Sequence, residues 1–204
     1  MNPGIQPDRL VLASSSRRRS ALLREAGYRF EIAAPAVDEP VTTDPTIAPA
    51  SHAESLAYFK ASSVAGACPD RTILGADTIA VVDGEIIGKP ADRDDARRIL
   101  RRLSKTTHVV ITGVAVIHPK RARRLIQHDV SRLRVRALSD SEIEAYLDTG
   151  TWEGKAGAYG VQDRGDRFVE RIEGSFSNVV GLPMELLGRM FERWRNGRPS
   201  GAPI

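Results

Sequence analysis

The chain has 204 residues, enough for one large domain or two lobes around a shared cleft with a substantial core. Hydrophobic residues at 41% and charged residues at 27% are ordinary globular values, and a formal charge of +4 suits an anionic ligand. The single cysteine, Cys68, excludes an intrachain disulfide, argues against a cysteine-based zinc site and favours a reducing compartment. Because the sequence has neither a membrane-length apolar run nor signal-peptide features, we expect a cytoplasmic protein with no membrane partner.

Helices and strands are predicted to interleave along the chain, from hydrophobic periodicity and capping residues. Strands are predicted over 10–13, 72–74, 79–82, 85–87, 109–117, 125–135 and 168–172. Helices are predicted from the serine caps at 14–16 to about 26, and over about 52–65, 93–105, 140–150 and 183–194. Because hairpins interrupt the alternation, we expect an α/β domain with a mixed sheet. It would span 10–193 as two lobes around one cleft, with flexible tails at 1–9 and 195–204.

The hairpin that carries Asp77 and Lys89 is the strongest local indication of a functional site. A short buried strand over 72–74 would place Asp77 at its carboxyl end, and a second apolar run follows. The pair Asp83-Gly84 predicts a tight turn, since Gly tolerates positive φ. The return strand would then bring Lys89 back to the level of Asp77. A carboxylate and an ammonium near one cleft would suit a metal–phosphate substrate.

Two further segments admit both a functional and a structural interpretation. Ser14 opens a strand–turn–helix with arginines at 17–19, which would favour phosphate oxygens; a plain N-cap with a solvated basic face explains the pattern equally well. The Gly-rich loop 152–162 does not match the dinucleotide-binding pattern. It is either a structural turn or a loop that lets the backbone approach a ligand, with Gln162 offering both a donor and an acceptor.

Several charged residues indicate nothing specific when each is taken alone. Glu39 and Lys60 would be surface charges by default. The four histidines show no metal-ligand spacing. Basic runs near 97–102 and 120–124 suggest nucleic acid, but they lack interleaved aromatic residues and acidic residues lie nearby, so solvated faces are expected.

Taken together, these segments resemble the Maf family over roughly residues 10–190. The matching motifs are Leu12-Ala13-Ser14 to Arg18-Arg19, Val37-Asp38-Glu39, Lys60-Ala61, Gly75-Ala76-Asp77-Thr78, Gly88-Lys89-Pro90, Leu103-Ser104, and the stretches 154–162 and 174–183. The resemblance implies an inosine-triphosphatase-like α/β sheet bent around a deep cleft, and a homodimer. It also implies a nucleoside triphosphate pyrophosphatase that clears modified pyrimidine nucleotides from the pool.

The resemblance assigns catalytic and metal-binding roles by position. Asp77 would accept the proton in hydrolysis and, with Glu39, would hold a divalent cation, Mg²⁺ or Mn²⁺. Lys60 and Lys89 would neutralise the triphosphate. Independently, cleavage between the α and β phosphates requires such neutralisation, because water must attack a phosphorus surrounded by negative charge.

The resemblance also assigns residues to the substrate. Ser14 and Arg19 would lie at the phosphate end of the cleft. Three residues match the trio that in one subfamily marks preference for dTTP and UTP: Arg18, Thr78 and Gln162. One departure is Arg17, which stands where the family usually has Pro and affects the local geometry of the phosphate loop.

Two alternatives stay open at this point. The first is the same reaction on 7-methyl-GTP, the substrate of a sister subfamily that differs at this trio. The second, from another functional class, is a nucleic-acid-binding regulator of cell division, motivated by the arginine runs and by the family's historical link to septation.

Overall fold

The computed structural model describes residues 6–35, 46–161 and 167–197. The strands are β1 (Leu10–Ala13), β2 (Glu31–Ala33), β3 (Thr72–Val82), β4 (Glu85–Ile87), β5 (Thr107–His118), β6 (Arg123–Val135) and β7 (Val169–Glu173). The α-helices are α1 (Arg17–Glu25), α2 (Pro49–Ser63), α3 (Arg93–Leu103), α4 (Asp140–Leu147), α5 (Phe176–Val180) and α6 (Met184–Arg195). Short 3₁₀ helices lie at Pro119–Arg121 and Ala156–Ala158.

All seven strands form one sheet, in the order β2-β1-β3-β5-β6-β7, with β4 paired to β3 beside that path. Strand β1 is parallel to β2 and β3, and the remaining pairs are antiparallel. The predicted α/β class with a mixed sheet is therefore confirmed. No helix in the described ranges has the length and apolar character needed to cross a bilayer.

Strand β3 creates the cleft because one of its edges is shared between two short strands. Its first residues pair with β1, which ends opposite Gly75, and its last residues pair with β4, which ends opposite Ala80. Its other edge is occupied by β5. On the edge that β1 and β4 share, no described strand pairs with residues 76–79, which include Asp77 and Thr78. The chain segments that leave β1 and β4 therefore both begin beside this gap.

The prediction of two separate apolar runs at 72–74 and 79–82 is wrong. They belong to the single strand β3, so Asp77 lies in mid-strand and not at a strand end. Gly and Asp are disfavoured in strands, which is why the segment looked interrupted. A continuous antiparallel ladder with β5, from Ile73 to Val81, overrides those local preferences.

Helix α2 packs unusually close to the sheet because small residues face one another. A Cβ built on Gly75 would lie 2.2 Å from the carbonyl oxygen of Ala57, and one built on Gly113 would lie 2.2 Å from that of Ala53. Neither contact is sterically possible, so only glycine fits at these two positions of β3 and β5. The same side of α2 carries the fully buried Ala61, and the preceding residue, Lys60, lines the cleft.

Other differences from the sequence predictions are local. Strand β2 and helix α5 were not predicted, because three and five residues are too short to show a period. Helix α2 begins at Pro49, three residues before the predicted start, since proline is favoured in a first turn. Pro183 itself is the N-cap of α6 and not its first helical residue. The division into a domain at 10–193 and two tails stays a prediction.

Gly113→Ala should destabilise the protein by on the order of 3 kcal/mol, because α2 must move away from β5 to admit the methyl group. Urea unfolding monitored by circular dichroism measures this change. The matched control is Gly188→Ala in α6, where no atom lies within 4 Å of the added Cβ; there we expect stabilisation of about 0.5–1 kcal/mol. Wild-type stability in Gly113→Ala would contradict the close packing of α2.

Candidate active site

The gap beside β3 opens into a cavity of about 570 Å³. Its walls come from the β1–α1 turn and the start of α1, from mid-β3, from Lys89 after β4 and from Lys60 on α2. The segment 154–161 and the carboxyl end of α5 at 179–181 complete them. The cavity lies where the neighbour of β3 on one edge changes from β1 to β4. Such a change in sheet topology is the usual place for a ligand site in an α/β sheet.

The charges that line the cavity have mostly one sign. Among the described residues, the lining includes a single carboxylate, that of Asp77. The basic residues of the lining are Arg17, Arg18, Arg19, Lys60, Lys89 and Lys155. A concave site with this excess of positive charge attracts a polyanion, and guanidinium groups suit phosphate oxygens in particular.

The carboxylate of Asp77 is held by the ammonium of Lys60. Lys60 Nζ lies 2.5 Å from Asp77 Oδ1, and the two residues are only 7% and 6% exposed. Such a charge-assisted hydrogen bond fixes the carboxylate direction at the cavity wall. Asp77 is therefore buried by its neighbours but still faces the cavity. Lys60 is not the surface lysine that its residue type alone suggested, because the close packing of α2 carries it into the site.

Arg19 connects three walls of the cavity. Its Nε donates to the backbone oxygen of Gly181 at 2.8 Å, its Nη1 to Ser14 Oγ at 3.3 Å, and its Nη2 to Thr78 Oγ1 at 3.1 Å. Gly181 has φ +124°, a conformation that side chains rarely adopt, so a glycine is needed to turn this carbonyl toward Arg19. These bonds hold the guanidinium in one orientation.

The start of helix α1 forms the second positive feature. Ser16 is its N-cap and accepts a hydrogen bond from the backbone nitrogen of Arg19. Residues 14–19 all line the cavity, so the amino end of the helix faces the same space as the arginine side chains. The N-cap interpretation is therefore confirmed, and the anion-binding interpretation stays a prediction.

The structure brings most of the predicted site residues to one cavity. Seven of them line it: Ser14, Arg18, Arg19, Lys60, Asp77, Thr78 and Lys89. Glu39 and Gln162 lie outside the described residues. Their individual roles stay predictions. Sequence reasoning missed one basic residue of the lining, Lys155, although a lysine within the Gly-rich loop 152–162 was an available signal.

Asp77 is compatible with a divalent cation. Mg²⁺ in phosphate-transfer sites is usually bound by one or two carboxylates together with phosphate oxygens of the substrate, and it does not need a complete protein cage. The described residues contain no cluster of three or more His, Cys, Asp or Glu suited to a metal. One carboxylate at the wall of a phosphate-attracting cavity fits that coordination chemistry.

A buried histidine supports the far wall of the cavity. His108 Nε2 lies 2.7 Å from the hydroxyl of Tyr159, a cavity-lining residue. Burial lowers the pKa of His108 to about 4, and burial raises the pKa of Tyr159. Both side chains are therefore neutral at physiological pH and act as structural support for the loop that carries Tyr159.

The family described as Maf-like protein matches residues 9–194 of the chain. A protein from Pelotomaculum thermopropionicum named dTTP/UTP pyrophosphatase is 43% identical over 185 residues, covering 91% of this chain and 96% of the relative. Relatives of the same name from Ruminiclostridium cellulolyticum and Hahella chejuensis are 44% and 46% identical; they cover 90% of this chain and 95% and 90% of their own lengths.

A solved structure of a nucleoside-triphosphatase / dITP/XTP pyrophosphatase from Mycobacterium abscessus aligns with 62% of this chain and 72% of its own chain, at 14% identity and a TM-score of 0.40.

The stability of the protein should fall in mild acid because of His108. In the unfolded chain this group takes up a proton near pH 6.5, whereas in the folded protein it does so only near pH 4. Its contribution is therefore complete above about pH 6.5 and is lost as the pH falls toward 4, by roughly 3 kcal/mol in total. The measurement is urea unfolding at several pH values for wild type and His108→Gln. Parallel pH dependence in the two proteins would contradict the assignment.

Proposed function

The chain belongs to the Maf family, and we propose that it hydrolyses nucleoside triphosphates to the nucleoside monophosphate and pyrophosphate, preferring dTTP and UTP. The observation that carries this proposal is the cation-rich cavity in which Lys60 holds the carboxylate of Asp77 at the wall. The names of the curated relatives supply the reaction and the preferred bases. Those names favour dTTP and UTP over 7-methyl-GTP.

The charge of the cavity suits the triphosphate. A nucleoside triphosphate brings several negative charges, and the lysines and arginines of the lining are arranged on more than one wall. Lys60 and Lys89 come from α2 and from the segment after β4, while Arg19 comes from α1 and is held by Gly181 and Thr78. Cations on several sides neutralise the phosphates and reduce the repulsion that an attacking water would meet.

In the proposed reaction, Asp77 activates the water. Its carboxylate takes the proton as the water oxygen bonds to the α phosphorus. The bond between that phosphorus and the bridging oxygen breaks, and pyrophosphate leaves with the electron pair. Lys60 keeps the carboxylate oriented during the step, through the hydrogen bond to Oδ1. The rigid ladder between β3 and β5 fixes the backbone at Asp77.

We further propose that Asp77, together with Glu39, holds a divalent cation, Mg²⁺ or Mn²⁺. When bound, such a cation polarises the phosphoryl group and lowers the pKa of a coordinated water. Arg18, Thr78 and Gln162 are proposed to read the base, since an amide at Gln162 offers both a donor and an acceptor to a pyrimidine edge. A homodimer and a cytoplasmic location are also proposed, from the family resemblance and from the sparse cysteine content.

The alternative of a nucleic-acid-binding regulator is not favoured by the arginines of α3. In this helix the basic residues are paired with acidic ones: Arg93 with Glu144 and Asp148, Arg97 with Glu144 and Asp94, Arg98 with Asp95, Arg101 with Asp140 and Arg102 with Glu85. A phosphate backbone would have to displace these partners.

A substrate panel tests the proposed function directly. With Mg²⁺ or Mn²⁺ present, we expect dTTP and UTP to yield monophosphate and pyrophosphate. Their kcat/KM should be at least about tenfold above that for 7-methyl-GTP, because the purine would leave hydrogen-bonding groups of the site unpaired. Products are separated by anion-exchange chromatography. Release of orthophosphate, or preference for 7-methyl-GTP, would overturn the proposal. Unchanged rates in the presence of a metal chelator would exclude the proposed metal dependence.

Asp77→Asn should lower kcat by on the order of 100-fold to 10,000-fold because the base is lost. The loss of metal–nucleotide affinity should be smaller, because the side-chain volume is preserved and the amide oxygen is a neutral, weaker metal ligand. Steady-state kinetics and calorimetric titration with the metal–nucleotide measure the two quantities. The matched control is Asp83→Asn in the exposed hairpin turn, where φ is +51° and asparagine is also tolerated. Near-normal kcat in Asp77→Asn would exclude Asp77 as the base.

A further inference from the structure

A chain of hydroxyl groups runs from the cavity wall into the protein interior. Thr78 and Thr112 are direct partners across β3 and β5, and their Oγ1 atoms are 2.9 Å apart. Thr112 Oγ1 lies 3.0 Å from the carbonyl oxygen of Asn178 in α5. Thr112 and Asn178 are 0% exposed, so neither group exchanges its partners with solvent.

The side chain of Asn178 anchors that carbonyl. Its Nδ2 donates to the backbone oxygen of Val110 at 3.1 Å and to Ser131 Oγ at 2.9 Å. Helix α5 is thereby bound to both β5 and β6. The acceptor that faces Thr112 is consequently fixed in place.

The number of available protons fixes the direction of the hydrogen bonds in this series of hydroxyl groups. A carbonyl oxygen has no proton, so the 3.0 Å contact with Asn178 requires the hydroxyl proton of Thr112. A hydroxyl has only one proton, and the 2.9 Å contact between the two threonines therefore requires the proton of Thr78. The arrangement assigns Thr78 as the donor to Thr112.

Arg19 occupies the acceptor side of the same hydroxyl. Guanidinium nitrogens only donate, so Thr78 Oγ1 accepts from Arg19 Nη2 at 3.1 Å. The carbonyl oxygen of Gly181, 3.4 Å from Thr78 Oγ1, is a second inward acceptor and leads to the same result. The proton of Thr78 stays within the protein, and a remaining lone pair is what the hydroxyl offers to the cavity.

We propose that Thr112 is a positioning residue for base selection: it keeps Thr78 an acceptor toward the ligand, which selects a base with a ring N–H. Uracil and thymine carry a proton on N3, whereas the corresponding nitrogen of cytosine is an acceptor. Two acceptors facing each other leave a hydrogen bond unmade, and a site of this kind discriminates strongly. The inference rests on the proposed function, in which Thr78 reads the base.

Thr112→Val removes the nearer of the two inward acceptors at nearly constant volume and leaves only the carbonyl oxygen of Gly181 at 3.4 Å, so the proton of Thr78 is held less firmly and can turn to the cavity. We expect the ratio of kcat/KM for UTP over CTP to fall by about tenfold, the size of one hydrogen bond. Thr112→Ser keeps a hydroxyl and should keep the wild-type ratio. Thr72→Val makes the same change at a buried threonine of β3 that does not line the cavity, and it should also keep the wild-type ratio. An unchanged ratio in Thr112→Val overturns the inference.

Two measurements separate this inference from the proposed function. Calorimetric binding of UMP and CMP needs no turnover: a preference for UMP that Thr112→Val abolishes supports the role of Thr112 even if no triphosphate is hydrolysed, and identical preferences in both proteins exclude it. Neutron diffraction of the wild-type protein needs no variant. A deuteron on Thr78 Oγ1 directed at Thr112 supports the inference, and one directed into the cavity contradicts it.

Discussion

The close approach of helix α2 to strands β3 and β5 is the constraint on which the site depends. It requires glycine at positions 75 and 113 and alanine on the facing side of the helix, since any larger side chain would collide with backbone atoms. At this short separation Lys60 reaches Asp77 directly, and the pair is removed from bulk solvent. The packing of small residues therefore brings Lys60 to Asp77 in the cavity.

The second condition is the divided edge of β3. Successive side chains of a strand point to opposite faces of a sheet, so a strand flanked on both sides along its whole length would keep Asp77 and Thr78 on separate faces. Here β1 and β4 each cover only one end, and the gap between them leaves both side chains facing the cavity. The segments that continue from these strands deliver the arginines of α1 and Lys89 to the same place. Sheet topology therefore gathers residues that are distant in sequence.

Much of this arrangement was accessible from the sequence. Caps at Ser16, Asp92 and Ser139 locate the starts of three helices, and the Asp83-Gly84 turn locates the β3–β4 hairpin. Lys60 shows the limit, because only tertiary packing distinguishes a buried lysine from a surface one. The continuity of β3 through Gly75 and Asp77 was hidden for a similar reason: pairing with β5 outweighs local preference. The partners of Thr78 and Arg19 lie too far along the chain for any local pattern to reveal them.

We propose that water, activated by Asp77, attacks the α phosphorus of a triphosphate held by the surrounding cations. Hydrolysis of UTP in ¹⁸O-labelled water, followed by mass spectrometry of both products, shows which phosphorus is attacked. We expect one labelled oxygen in UMP and none in pyrophosphate. Label in pyrophosphate would show attack at the β phosphorus and would exclude this mechanism.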